Sequence, residues 1–342
     1  MKFYAILLLF IFSFSFPQNG MAKKDTTLIY CNADLKKTNA KYALYYAKIY
    51  KNADGTIGVQ QFKRDGTRYL TGSFTKKNCK VRQGLFQYYD YDGILKKTGA
   101  FDQDLATGIW KYIAPNGTVT GEGLYENGER NGTWNFHTKE GLKSSSRAYK
   151  NDKFHGEYFK WVNDTLVTKG QYVNDEKDGF WQNWYKTGVK NDEGNYNNGD
   201  RTGEWKFYFR SGNIAAVELY AKGEAIKVEW FDESGNSVEP TEPLEIDPSF
   251  EGGQVAMNQF IRDNVSYPSL AMEMGEQGIV YVSFYIELDG SLSEVRIRKG
   301  ISEALDNESI RVVKSMPNWI PANYHNRAMR VNFTLPIHYR LG

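Results

Sequence analysis

The chain has 342 residues, enough for two or three domains rather than one ordinary core. Its formal net charge is +2, from 43 basic and 41 acidic residues intermixed along the chain. That balance excludes the long-range pull toward nucleic acid or anionic membrane that a strongly basic protein exerts. Aromatic residues make up 15%, with Tyr the most numerous at 24, and Gly appears 32 times, a composition that leans toward β structure.

Met1-Lys2 precede an apolar run from Phe3 to Phe16, which exits through Pro17-Gln18-Asn19-Gly20-Met21-Ala22. One positive charge, a short apolar core and small residues at the exit predict a secretory signal over residues 1–22. The alternative is an uncleaved membrane anchor, but a helix over this run would reach only about 21 Å of a hydrocarbon core about 30 Å thick. Cys31 and Cys79 follow; outside the cytoplasm they can form one disulfide, or remain two buried thiols.

Residues 23–68 predict a β region containing a degenerate opening unit, with turns at Asp54-Gly55 and Asp65-Gly66. From there to residue 236 a repeat dominates. Gly-x-aromatic recurs at Gly84, Gly108, Gly132, Gly156, Gly179 and Gly203, in steps of 24, 24, 24, 23 and 24. Phe101, Tyr125, Tyr149, Tyr172, Tyr196 and Tyr220 keep the same beat, and so do turns such as Asp92-Gly93, Asn116-Gly117 and Ser211-Gly212. Asn-Gly and Asp-Gly between aromatic runs favour tight hairpin turns, because both central residues tolerate positive φ. Residues two apart on a strand share a face, so Gly108, Trp110 and Tyr112 point the same way. A strand glycine leaves room for a ring from the next strand. The expectation is an antiparallel meander of hairpins, each touching its neighbours. These units resemble MORN-type repeats in the form found in the YwqK family, whose members are described as antitoxins. The resemblance implies a protein-binding scaffold or a lipid-contacting surface; the strand geometry by itself implies a rigid spacer.

Val238 to Pro248 holds three prolines and four acidic residues, which reads as an extended linker over 237–248. Helical spacing appears next, at Met257, Phe260 and Ile261 after Gly252-Gly253. A second helical turn follows Tyr267-Pro268 and ends near Gly275. Val280, Val282, Phe284 and Ile286 alternate on one strand face, and Asp289-Gly290 turns the chain into Leu292, Val295 and Ile297. Asp306 is placed to cap a helix with Ile310, Val313 and Met316 on its apolar face. A last strand runs from Arg330 to Tyr339.

Over residues 249–342 this order of elements resembles the C-terminal domain of the TonB family. The carrying residues are Tyr267-Pro268, Gly278-x-Val280, Asp289-Gly290, Leu305-Asp306, Met316-Pro317-x-Trp319-x-Pro321 and the terminal strand. The repeat and this resemblance together predict a mainly β chain, a hairpin array followed by a small α+β domain, and with the expected export signal they place it in the periplasm of a Gram-negative envelope. The resemblance also implies a partner: an outer-membrane TonB-dependent transporter, whose extended segment adds to a sheet edge by main-chain hydrogen bonds. The implied site is Arg330, Val331, Asn332, Phe333, Thr334 and Leu335, with Tyr267 and Pro268; Pro336, without an N–H, should shorten pairing along that edge. The other reading is an envelope scaffold whose array holds a protein or lipid, with no transport role.

Catalysis is not expected. His137, His155, His325 and His338 are scattered, with no metal-ligand spacing, no nucleophile elbow and no phosphate-cradling loop. No cofactor, metal or nucleic acid is predicted.

Overall fold

The computed structural model describes residues 26–76, 79–241 and 243–341, so the signal expected over residues 1–22 lies outside it. The described residues form two compact units, divided between Gly141 and Leu142. The first holds β1 (Thr27–Cys31), β2 (Tyr45–Lys51), β3 (Ile57–Lys63), β4 (Arg68–Phe74), β5 (Gly84–Tyr89), β6 (Leu95–Asp102), β7 (Leu105–Ile113), β8 (Val119–Glu126) and β9 (Glu129–His137). Each pairs antiparallel with the next. No disulfide joins Cys31 and Cys79; burial pushes both thiols up, and Cys31 adds to the rise at Cys79.

The second unit opens with the same kind of meander: β10 (Lys143–Lys150), β11 (Lys153–Val162), β12 (Thr165–Val173), β13 (Glu176–Trp184), β14 (Lys190–Asn197), β15 (Asp200–Tyr208), β16 (Ile214–Ala221), β17 (Glu224–Phe231) and β18 (Ser237–Val238). There too each strand is antiparallel to the next.

The repeating contact is an indole on a glycine. Trp134 lies over Gly123, where a Cβ would meet the ring at 2.2 Å, and Trp110, Trp181 and Trp205 lie likewise over Gly99, Gly170 and Gly194. Each indole Nε1 donates to a strand carbonyl, as Trp134 does to Leu124 at 3.1 Å. Burying the ring therefore leaves no N–H without a partner. A tyrosine or phenylalanine meets each indole edge-on, Tyr125 on Trp134 at 5.2 Å and 90°. The strand containing the glycine bulges there: pairing of β8 with β9 shifts between Glu122 and Leu124.

The glycine of the Gly-x-aromatic motif does something else. Gly108 has φ +67, and a Cβ added there would meet nothing within 4 Å, so its requirement is backbone conformation, not space. Two glycines per repeat thus answer two different constraints.

After β18 come α1 (Gly253–Asn264), α2 (Ser269–Glu273), β19 (Gly278–Ile286), β20 (Leu292–Lys299), α3 (Glu303–Lys314), β21 (Ala322–Tyr324), β22 (Arg327–Met329) and β23 (Val331–Tyr339). The sheet order is β20-β19-β23. Val280, Val282, Phe284 and Ile286 are fully buried, as the alternation predicts, and pack with Leu335, Ile337 and Tyr339 beneath the helices. Ser302, not Asp306, caps α3: Leu305 N donates to Ser302 Oγ, while Asp306 accepts from Ile301 N. Gly290 is held against Trp319, whose N–H donates to its carbonyl at 2.8 Å.

The two glycine roles separate by mutation. Gly123→Ala should destabilise the protein by about 2 kcal/mol through overpacking against Trp134. Gly108→Asn should cost under about 1 kcal/mol, because Asn tolerates the left-handed region. Urea unfolding of the full chain measures both; the reverse ranking would sink the assignment.

Candidate functional site

A three-stranded sheet has two outer edges, and they are built differently here. The β20 edge is irregular: its pairing with β19 shifts register twice, Glu294 takes φ +49, and Arg296, Arg298 and Lys299 stud the strand. Bulges and charges of this kind discourage another strand from adding. The β23 strand pairs with β19 over nine successive residues, Val331 to Tyr339, without a shift. Pro336 sits opposite Tyr281 and interrupts nothing on that side.

Beside β23 runs a groove of about 480 Å³. One wall is α1, through Met257, Ile261 and Arg262; the other is Phe333, Leu335 and Pro336. Gln254, Asn258 and His338 add hydrogen-bonding groups at its margin. The floor is apolar because Met257 and Leu335 belong to the core, which the groove opens at its side.

The helix wall is pinned at both ends. Phe250 precedes it, buried edge-on against Trp319 at 5.8 Å, and its carbonyl accepts from Gly253 N. At the far end Arg311 donates to the carbonyl of Asn264, and Glu308 accepts from Ser266 N at 2.6 Å. The Arg311 guanidinium holds the Glu308 carboxyl below its usual range.

The expected site residues divide. Phe333, Thr334 and Leu335 line the groove, and Val331 and Asn332 lie on the same strand. Arg330 is engaged elsewhere: it pairs with Glu287 at 2.8 Å and Glu294 at 2.7 Å, and lies 3.6 Å over the Tyr285 ring. Those carboxylates push its guanidinium up, and Glu287 is held down by Ser293 and then by Arg330. Tyr267 and Pro268 do not line the groove. Tyr267 donates to the carbonyl of Glu276 and packs edge-on against Tyr339, while Pro268 starts α2. The residues missed from sequence are those of α1; the i, i+4 spacing of Met257 and Ile261 marks an apolar face without saying that part of it stays open.

Residues 263–341 match the family model for the Gram-negative bacterial TonB protein C-terminal. Over these residues the chain is similar to the TonB C-terminal domain. Protein tonB2 of Pseudomonas aeruginosa is 33% identical over 77 residues, covering 22% of this chain and 28% of that relative. The chain thus spans little more than a quarter of the curated relative it matches. The solution structure of the Helicobacter pylori TonB C-terminal domain is 26% identical and covers 26% of this chain and 79% of that one, with a TM-score of 0.21. The match to the TonB family model begins inside α1, at Asp263.

The Glu308 clamp has a pH signature. Its folded pKa lies below the unfolded value of about 4.3. Its stabilisation is therefore complete above that value and lost as pH falls through the lowered folded one. Glu308→Gln should cost up to about 1 kcal/mol at pH 7 and nothing in acid; parallel urea titrations at pH 7 and pH 3 would show the gap closing.

Proposed function

We propose that the C-terminal domain binds an extended peptide by strand addition to the open edge of β23, with α1 receiving its side chains. The segment comes from an outer-membrane TonB-dependent transporter, and the protein works in the periplasm as a non-catalytic coupling or adaptor protein. The observation that carries this reading is the pairing of a straight, nine-residue outer strand with an apolar groove along it. Main-chain groups of such an edge give affinity without regard to sequence. The groove supplies choice, since alternate side chains of an added strand would face Met257, Ile261 and Phe333. The family match supports the partner class.

The array, in this reading, is the body that carries the domain, and its likeness to MORN-type repeats supports a platform role.

The test is an NMR titration of the full chain with TonB-box peptides from transporters of the same cell. Shifts should concentrate on Val331–Leu335 and on α1. Ile261→Arg should weaken binding about tenfold, as removal of a central apolar contact does. Tyr267→Phe should leave affinity unchanged. No shifts at millimolar peptide would defeat the proposal, and a loss with Tyr267→Phe equal to that with Ile261→Arg would move the site.

A further inference from the structure

The repeat keeps a second glycine beat on its return strands, and the beat breaks in an informative place. The positions run Gly99, Gly123, Arg147, Gly170, Gly194 and Glu218, in steps of 24, 24, 23, 24 and 24. In the second unit Gly170 and Gly194 lie under indoles. Glu218, at the next such position, carries a carboxylate into a buried site at 4% exposure. Tyr220 donates to it at 2.6 Å, and His325 Nδ1 approaches it at 2.9 Å. Burial opposes the charge, and the His325 and Tyr220 hydrogen bonds overcome it, holding the carboxyl below its usual range.

His325 belongs to the tight hairpin between β21 and β22, where Tyr324 pairs with Arg327. Both central residues, His325 at φ +54 and Asn326 at φ +58, are left-handed, and neither is glycine. Such strain persists where surroundings over-determine it. Here the surroundings are the last repeats. The His325 ring stacks on Phe207 with centroids 3.8 Å apart and planes 7° from parallel. Asn326 Nδ2 donates to the carbonyls of Ala215 at 3.1 Å and Phe231 at 2.8 Å. Arg327, 5% exposed, donates through Nη1 to the carbonyls of Asn191 at 2.8 Å and Tyr208 at 3.2 Å.

Asn191 and Ala215 are equivalent, 24 residues apart, and each is the extra residue of a bulge. The pairing of β13 with β14 skips Asn191, and that of β15 with β16 skips Ala215. A bulged residue stands outside the ladder and keeps hydrogen-bonding capacity unused. The hairpin takes its bonds from equivalent bulges of two successive repeats, so it reads the period of the array.

We infer that the Tyr324–Arg327 hairpin is a plug, and that β14 to β17 form its socket. The repeats of the second unit are thereby the intramolecular receptor that holds the C-terminal domain in a set position, rather than a support at the far end of a tether. The segment expected to be a linker agrees: Leu244 packs against the Trp181–Trp205 cluster, Ile246 bridges to Asn323, and Tyr324 donates to Asp247 at 2.5 Å. This does not depend on what the groove binds.

The test uses the full chain and two changes that leave local backbone needs satisfied. Glu218→Gly restores the repeat's own residue; Asn326→Gly keeps the left-handed turn while removing both bonds. Limited proteolysis across residues 239–248 should be slow in the natural protein and at least about tenfold faster in the double variant, given hydrogen bonds worth a kcal/mol or more each. Amide 15N relaxation supplies the second readout. Residues 249–342 should tumble with β10–β18 in the natural protein and faster than them in the variant, with Val280 and Ile337 still dispersed as in a folded domain. If the variant domain loses that dispersion, Glu218→Gln alone decides, since it alters only the socket. Independent tumbling in the natural protein, or a variant cleaved and relaxing like it, would overturn the inference.

Discussion

An indole laid over a glycine of the next strand is the contact on which the repeats depend. Each strand must cover its large aromatic side chains with what its neighbours provide. Removing the Cβ at Gly123 lets Trp134 approach the backbone itself, and Tyr125 closes the ring's exposed side edge-on. The indole N–H finds the Leu124 carbonyl, so the ring is buried with its polar group satisfied. The cost is a weakened strand at the glycine, and the bulge there is the geometric form that cost takes. Each repeat carries a second bulge as well, on the other side of its return strand, and at Asn191 and Ala215 this second bulge becomes the attachment point.

The C-terminal domain turns the same issue of sheet edges to a different use. Its β20 edge is bulged and charged, whereas β23 stays regular to its end, with a helix standing off to leave a groove. Keeping one edge regular is a liability unless a strand is meant to join it. Arg330 shows how the two edges are kept distinct: instead of lying along the β23 groove it reaches back to Glu287 in the β19–β20 turn and Glu294 on β20.

Much of this was legible in the sequence, and the rest was hidden for identifiable reasons. The 24-residue beat stood out because one packing solution is reused, and reuse writes itself as period. The two glycine roles did not separate, because Gly108 and Gly123 answer different needs, torsion and space, with the same residue. The TonB-type order of elements was readable from Tyr267-Pro268 to Trp319, since those positions are core and turn residues with strict local demands. That same strictness shows at Tyr267, whose hydroxyl donates to the Glu276 carbonyl and whose ring packs edge-on against Tyr339. The α1 wall of the groove was invisible, because a half-covered apolar face and a covered one have identical spacing. Ser302 displaced Asp306 as the cap because both can fill that role locally, and the loop before α3 decides between them.

The β21–β22 hairpin was the least legible element, and the reason bears on how the protein is put together. A two-residue turn is normally announced by glycine; His325-Asn326 carries none, so nothing local predicts it. What stabilises it is distant in sequence: a ring at Phe207, a carboxylate at Glu218 and carbonyls at Asn191, Tyr208, Ala215 and Phe231. The trace it leaves is a missing glycine at position 218, more than a hundred residues upstream. A repeat that departs from its own rule gives up the Trp-on-Gly contact at that place, and the side chain found there shows what replaced it. By that logic the last repeats diverged to hold a domain rather than to end an array.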